Sequence, residues 1–163
     1  MNIVLYEPEI PENAGNIGRT CVASGARLHL IEPLGFILSE KKLKRAGMDY
    51  WERLDVRRYA TWNDFLEENP KARLWMITTK ARKCYDKADF KETDYLVFGK
   101  ESAGLPEELL VANKERCLRI PMKEEERSLN LSNAVALVLY EALRQTGFPG
   151  LKLEGDLHRL SWD

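Results

Sequence analysis

Short polar side chains are concentrated just before one strongly apolar segment near the end of the chain. Residues 127–140 read RSLNLSNAVALVLY, and four polar side chains lie within six residues: Ser128, Asn130, Ser132 and Asn133. Either Asn130 or Ser132 is enough to cap the helix that this apolar run predicts. A helix N-terminus also offers free N–H groups and a partial positive charge. The remaining hydroxyls and amides are therefore suited to a polar ligand pocket.

A glycine-bracketed segment is a second candidate for ligand binding. Residues 98–106 read FGKESAGLP and place Glu101 and a hydroxyl between two glycines. The backbone of such a loop can approach a ligand closely, because glycine has no side chain. An ordinary strand-to-helix turn uses the same residue types. The segment alone therefore leaves both interpretations open.

The segment 11–19, PENAGNIGR, has a third set of suitable side chains. Asn13, Asn16 and Arg19 are spaced three residues apart, which predicts that they share one helix face. The planar guanidinium of Arg19 suits phosphate or carboxylate recognition, and a surface salt bridge is equally compatible with this spacing. Asn13 can alternatively act only as a helix cap.

The sequence lacks the residue arrangements that several common catalytic and binding sites require. The two histidines are His29, inside the apolar run RLHLI, and His158, in a polar tail. Neither belongs to a credible Ser-His-Asp arrangement, and His and Cys are too scattered for a zinc site. No GKS or GKT phosphate loop occurs, and residues 15–18 read GNIG, which lacks the dinucleotide-binding fingerprint. We therefore expect no metal and no dinucleotide site.

Charge and composition limit the classes of protein further. The chain has 163 residues, of which 44% are apolar, and its net charge is −1. One domain with a hydrophobic core is expected at this size. The net charge excludes a protein held to nucleic acid by its overall charge, although a local basic face stays possible.

The cysteines and the chain start predict the cellular compartment. Cys21, Cys84 and Cys117 are odd in number and far apart, which is typical of reduced, mostly buried thiols. Residues 1–10 are acidic and do not resemble a signal peptide. No window approaches the roughly 20 apolar residues of a membrane span. We expect a cytoplasmic protein with no membrane partner.

A basic segment is a candidate nucleic-acid surface. Residues 41–58 contain seven Lys or Arg and three Asp or Glu, with Tyr50 and Trp51 between the charges. Basic residues interleaved with aromatic rings suit structured RNA, where rings stack on splayed bases. Lys80, Arg82 and Lys83 extend this surface only if they are nearby. A merely solvated charged face is the alternative.

Short apolar runs alternate with helical patterns along the chain. Strands are predicted at 2–6, 27–31, 55–59, 72–78, 94–98 and 116–120. Helices are predicted at 13–24, from Ser39 to Gly47, from Thr61 to Pro70, at 105–110 and at 131–146. This alternation indicates an α/β domain with a mainly parallel sheet and helices on both faces. Ligands then bind beyond the carboxyl ends of strands, at 77–80, 98–106 and 120–122.

The last helix is apolar around most of its circumference, which indicates burial on more than one side. One side is expected to cover the sheet, and the other to meet a second copy of the chain. The alternative is an unusually well-covered core helix in a monomer.

Taken together, the three segments resemble the motifs of the SPOUT superfamily of RNA methyltransferases. They read N13-x-x-N-I-x-R19, F98-G-x-E-x-x-G-L-P106 and I120-P-M-x-x-x-x-R-S-L-N-L-S-N. The opening IVLYEPEIPENAGNIGR is similar to the small single-domain branch that methylates the ribose 2′-oxygen at the tRNA wobble position. The resemblance extends from residue 2 to about 150, so we expect one domain at 1–150 and a tail at 151–163.

The resemblance implies a C-terminal trefoil knot, S-adenosyl-L-methionine as the cofactor, tRNA as the partner and a homodimer formed through the last helix. The implied cofactor-binding residues are Ile77, Thr78, Gly99, Ile120, Ser128, Leu129 and Asn133. The implied catalytic residues are Arg19, reaching over from the partner subunit, with Asn13, Ser128, Asn130 and Glu101. Ser128 and Asn130 would line the place where methyl group and ribose meet, whereas Ser132 and Asn133 would cap the helix and shape the cofactor pocket.

This chain departs from the common motif at Lys100 and Ala103, where many relatives carry Pro and Arg. Three alternatives stay open: a methyltransferase acting on ribosomal RNA or on a base, a non-catalytic RNA-binding protein of the same fold, and a nucleotide enzyme without an RNA partner.

Overall fold

A seven-stranded sheet forms the centre of the computed structural model, which describes residues 1–37 and 49–162. Its strands are β1 (Asn2–Tyr6), β2 (Arg27–Ile31), β3 (Val56–Tyr59), β4 (Leu74–Ile77), β5 (Lys83–Cys84), β6 (Tyr95–Phe98) and β7 (Cys117–Arg119). Their order across the sheet is β3-β2-β1-β6-β4-β7-β5, and every pair is parallel. The predicted α/β class with a parallel sheet is confirmed, and the trefoil knot stays a prediction.

Within residues 1–37 and 49–162, four α-helices accompany the sheet: α1 (Pro11–Ser24), α2 (Trp62–Glu68), α3 (Glu107–Ala112) and α4 (Leu131–Gln145). Short 3-10 helices lie at Asp49–Arg53, Tyr85–Lys87 and Lys114–Arg116. The basic helix predicted from Ser39 to Gly47 lies outside the described residues. Residues 151–162 contain no helix or strand.

The core lies on both faces of the sheet because strand side chains alternate between them. Ile3 and Leu5 pack on one face in a cluster that includes residues of α1 and α4. Val4 points to the opposite face, in a cluster that includes Phe65 of α2. The prediction of helices on both faces is therefore confirmed.

The helix ends follow local chemistry in most cases. Thr61 and Asp64 form a reciprocal capping box at α2, and Gly25 closes α1 with a left-handed φ of 70°. The prediction that Asn13 opens α1 is wrong: the helix begins at Pro11, a residue with no N–H to satisfy. Pro106 likewise precedes α3 rather than lying within its first turn.

The aromatic residues of the basic segment pack inward. The Tyr50 hydroxyl donates a 2.6 Å hydrogen bond to the Gly15 carbonyl, and the Tyr50 side chain is buried. Trp51 lies so close to α1 that a Cβ built at Gly18 would be 2.9 Å from its ring. The prediction that these rings stack on RNA bases is therefore wrong for Tyr50, which stabilises α1.

The prediction of unpaired, mostly buried cysteines is confirmed. All three cysteines are free, with Cys21 and Cys117 buried. His29 is fully buried, and its ring nitrogens bond to the Tyr59 hydroxyl and the Asn2 side chain. No helix in residues 1–37 or 49–162 is long and apolar enough to cross a membrane.

We expect acid to destabilise the fold through His29. Burial, together with the charges of Arg27 and Arg57, lowers the pKa of His29 to about 4 from an ordinary 6.5. Between these values the unfolded chain binds a proton that the folded chain does not, so stability falls as pH falls. Between pH 7 and pH 4, protonation of His29 should decrease the free energy of unfolding by about 3 kcal/mol.

Urea unfolding between about pH 7 and pH 4.5 measures this effect when the chain is compared with His29→Gln. The variant should lose stability less steeply than the unaltered chain. Equal pH dependence in the two proteins would show that His29 does not control acid stability.

Candidate active site

A cavity of about 620 Å³ lies at the carboxyl ends of β4, β6 and β7. Its walls include residues from the three strand ends that the sequence singled out, at 77–80, 98–106 and 120–122. The segment 127–131, Ile10 of the first loop (residues 7–10) and Asn13 of α1 complete them. Most of the predicted site residues line it: Asn13, Ile77, Thr78, Gly99, Glu101, Ile120, Ser128, Leu129 and Asn130. Residues far apart in sequence thus form one site.

Arg19 and Asn133 do not line this cavity. They lie with Asn16, Ser132 and Tyr140 along a shallow depression of about 370 Å³ between α1 and α4. Six residues of α-helix turn through about 600°, so Arg19 points roughly 120° away from Asn13. The prediction that Asn13, Asn16 and Arg19 share one face is therefore wrong: Asn13 is buried, whereas the other two are exposed.

The middle loop, residues 99–104, depends on its glycines. A Cβ built at Gly99 would lie 2.0 Å from the carbonyl carbon of Gly104, which leaves no room for a side chain. Gly104 has a φ of +72° and donates its N–H to the Lys100 carbonyl at 2.8 Å. The tight turn presents backbone groups at the cavity wall.

Glu101 fastens the middle loop to the first loop. Its two oxygens accept hydrogen bonds from the backbone N–H groups of Glu9 and Ile10, at 2.8 and 3.3 Å, and from the Asn13 amide at 2.9 Å. A carboxylate that accepts three hydrogen bonds is held firmly in place. Glu101 therefore joins two walls of the cavity rather than projecting freely into it.

Glu9 completes this connection in the opposite direction. Its carboxylate accepts hydrogen bonds from the hydroxyl and the backbone N–H of Ser102, both at 2.8 Å. These bonds lower the pKa of Glu9 below its ordinary value. The sequence analysis missed this role for Glu9 and Ser102, since their spacing of 93 residues carries no local signal.

Lys100, one of the two departures from the common motif, also has a defined partner. Its ammonium group lies 2.7 Å from a Glu7 carboxylate oxygen, and this contact raises the pKa of Lys100. Lys100 thereby adds an ion pair between the first and middle loops.

Asn130 connects α1 to α4. Its side-chain oxygen accepts from the N–H groups of Ser132 and Asn133, at 2.9 and 3.3 Å, and from the Ser132 hydroxyl at 2.7 Å. Its amide donates to the Asn13 oxygen at 2.9 Å. The prediction that Ser132 and Asn133 cap the helix is wrong, because Asn130 is the cap and they are the residues capped.

The cavity combines this polar network with apolar walls. Ile77, Ile120 and Leu129 line it together with backbone groups of the three loops. The charged side chains along it are Lys80, Lys100, Glu101 and Arg127. Such a mixture suits a ligand that has both a flat ring and several polar groups.

A parallel sheet whose carboxyl-end loops enclose one cavity defines an α/β ligand-binding protein of the open-sheet class. The chain belongs to the SpoU rRNA Methylase family, whose model matches residues 1–140. The resemblance to SPOUT methyltransferases is thus confirmed.

Two relatives and two solved structures narrow the comparison. Two proteins named tRNA (cytidine(34)-2′-O)-methyltransferase are each 52% identical to this chain. The protein from Escherichia coli K12 matches over 94% of this chain and 98% of its own length. The protein from Saccharophagus degradans matches over 93% of this chain and 99% of its own length. A structure solved for the 2-OH methylation of C/U34 on tRNA is 50% identical, with a TM-score of 0.83 over 90% of this chain and 95% of that chain. An AdoMet-bound rRNA methyltransferase from Sinorhizobium meliloti is 29% identical, with a TM-score of 0.76 over 88% of this chain and 55% of that chain.

Proposed function

We propose that this chain transfers the methyl group of S-adenosylmethionine to the ribose 2′-oxygen at nucleotide 34 of tRNA, a cytidine or a modified uridine, in the cytoplasm. The observation that carries the proposal is the 52% identity of this chain to the E. coli enzyme named for this reaction, over 98% of the length of that enzyme. The cavity is consistent with it, because nine of the site residues that the resemblance implied line this one cavity.

The residues of the cavity fit S-adenosylmethionine. Ile77, Ile120 and Leu129 supply apolar surface for the adenine ring, and the loop at Gly99 supplies backbone hydrogen-bonding groups. A volume of about 620 Å³ lies within the range of ordinary cofactor sites. The cofactor would supply a methyl group on a positively charged sulfur, ready for direct displacement.

The main task of the protein is alignment. With the cofactor bound, its methyl carbon would be available to the ribose oxygen, and its sulfur would become neutral as the sulfur–carbon bond broke. No growing anion has to be neutralised, so orientation, worth roughly 7–11 kcal/mol, can provide much of the rate. Ser128 and Asn130 lie at the cavity wall, where they can orient the ribose. Asn13 and Glu101 hold Asn130 in place.

Arg19 is proposed to act in the cavity of a partner subunit. It lies outside the cavity of its own subunit, beside the exposed Tyr140 of α4. Leu137 and Tyr140 are 45% and 43% exposed, which leaves an apolar face of α4 for a second copy. A homodimer through α4 would bury this face and bring Arg19 and Asn133 near the second cavity.

A guanidinium stays protonated, so it is a poor base. We assign Arg19 the role of holding an RNA phosphate, while water or another group accepts the 2′-hydroxyl proton. The domain at 1–150 would then carry both the cofactor and the RNA, with the tail at 151–163 outside the reaction.

The substitutions Asn130→Ala and Asn130→Asp separate capping from positioning. Asn130→Ala removes the cap of α4 and should lower the free energy of unfolding by about 1 kcal/mol. Asn130→Asp keeps the capping oxygens but cannot donate to Asn13, so it should retain the helix cap and still lose at least about tenfold in methyl transfer. Urea unfolding and turnover measured on both variants test this. Full activity in Asn130→Asp would contradict the positioning role.

The deciding experiment is a methyl-transfer assay with labelled S-adenosylmethionine, run in parallel on bulk tRNA and on ribosomal RNA from a strain that lacks the activity, followed by nuclease mapping. Label on the 2′-oxygen of nucleotide 34 supports the proposal. Label on ribosomal RNA alone would replace it with the ribosomal reaction that the family description names. Cofactor binding without label on either RNA would contradict the proposed function. Absence of both cofactor binding and label would favour a non-catalytic RNA-binding protein.

A further inference from the structure

A second surface groove, of about 630 Å³, adjoins the cavity. One wall is the segment 78–83, which follows β4, and the other is α3 with the 3-10 turn after it. Thr78 and Lys80 line both the groove and the cavity, so the two are continuous at this point. Lys80 also forms a 2.9 Å ion pair with Glu107 across the groove walls. None of the sequence motifs described above includes α3.

The groove is positively charged although the chain is not. Its charged lining residues are Lys80, Arg82, Lys83, Lys114, Glu107 and Glu115. Four cations and two carboxylates give the groove a net charge of +2, whereas the whole chain has a net charge of −1. Within the described residues, Arg82 and Lys114 form no ion pair. Lys83 lies 5.5 Å above the Trp75 ring and likewise has no carboxylate partner there. These cations are available to an anionic ligand.

The floor of the same groove is apolar. Ala81, Leu110 and Val111 line it, and Val111 is 72% exposed. An apolar floor between cations matches the two parts of a nucleotide, a flat base and a charged phosphate. Neither a purely charged ligand nor a purely apolar one would use both features.

We propose that this groove binds an unpaired nucleotide of the same RNA strand, adjacent to the nucleotide whose ribose enters the cavity. This inference rests on the proposed function. Arg82 and Lys114 contact the phosphate, and the base packs on Leu110 and Val111. Single-stranded loops allow bases to turn outward in this way, whereas paired bases do not. The groove would thus fix the direction in which the strand crosses the cavity.

Charge reversal at single positions tests the inference. Arg82→Glu and Lys114→Glu should each raise the KM for tRNA by about tenfold, with kcat little changed, since only the substrate contact is lost. Each should also reduce the slope of log affinity against log salt by about 0.7. Cofactor binding, measured with S-adenosylhomocysteine, should stay as in the unaltered chain. Val111→Asp should raise the KM as well.

Lys71→Glu is the control variant. Lys71 is exposed before the amino end of β4, away from the cavity, and its substitution changes the charge equally. If the unaltered chain is active and the groove variants have the same KM for tRNA and the same salt dependence as Lys71→Glu, the inference is overturned. The proposed function is unaffected by that result. A groove variant that weakens S-adenosylhomocysteine binding as much as tRNA binding would also overturn the inference. An unaltered chain that neither binds nor methylates tRNA would instead contradict the proposed function.

Discussion

Replacing Gly99 by alanine should abolish cofactor binding and reduce methyl transfer at least about 100-fold. The added Cβ would lie 2.0 Å from the Gly104 carbonyl carbon and 2.3 Å from the Leu105 nitrogen. Both are backbone atoms, so no side chain can rotate away and the loop itself must move. The expected loss of stability is about 1–3 kcal/mol. Calorimetric titration with S-adenosylhomocysteine, thermal unfolding and the methyl-transfer assay measure the three consequences.

Gly155→Ala is the matching control, because a Cβ at Gly155 would have no neighbour within 4 Å. It should bind the cofactor and turn over like the unaltered chain. If Gly99→Ala bound S-adenosylhomocysteine with ordinary affinity, the middle loop would not form a wall of the cofactor site.

Arg19→Lys should retain cofactor binding and lose turnover on the order of 100-fold. Lysine keeps the charge but cannot present the planar pair of donors that a phosphate accepts from arginine. Arg19 lies outside the cavity of its own chain, so the substitution leaves that cavity unaltered. Turnover and S-adenosylhomocysteine binding, measured side by side, separate the two effects. Unchanged turnover would remove Arg19 from the mechanism.

Mixed dimers test whether Arg19 acts across subunits. One subunit would carry Arg19→Lys and the other Gly99→Ala. If Arg19 acts on the partner's cavity, the intact cavity of the first subunit receives Arg19 from the second, and up to half of the normal activity returns. If Arg19 acts within its own subunit, both sites stay defective. Ala134→Leu, which narrows the cavity from α4, can replace Gly99→Ala if that variant does not fold.

The cavity wall illustrates how far local patterns can predict a site. Ile77, Gly99 and Ser128 line the cavity as expected, because the resemblance placed them in loops that follow strands and the sheet is parallel. The resemblance placed Arg19 in the cavity of a partner subunit and Asn133 in the cofactor pocket, and neither residue lines the cavity of its own chain. A site shared between two copies would explain the position of Arg19, and the sequence pointed to a second copy only through the resemblance and the apolar circumference of the last helix.

The predicted roles of the polar residues were less accurate than their positions. Asn13 does not open α1, and Ser132 does not cap α4. Both residue types are suited to capping. The Asn13 side chain instead bonds to Glu101 and Asn130, and Ser132 is itself capped by Asn130. Short polar side chains compete between local and distant partners, and local sequence cannot decide that competition.

By itself the sequence determined the alternation of strands and helices, the parallel sheet, the mostly buried cysteines, and the three loops that form the site. These features follow from hydrophobic periodicity, turn residues and motifs, all of which act over a few neighbouring residues. Only the tertiary structure decided that Glu101 joins two loops, that Asn130 links Asn13 to α4, and that Tyr50 supports a helix. The hydrogen bonds that Glu101 and Asn130 make to Asn13 span 88 and 117 residues. Their geometry exists only after the sheet has brought its strand ends together.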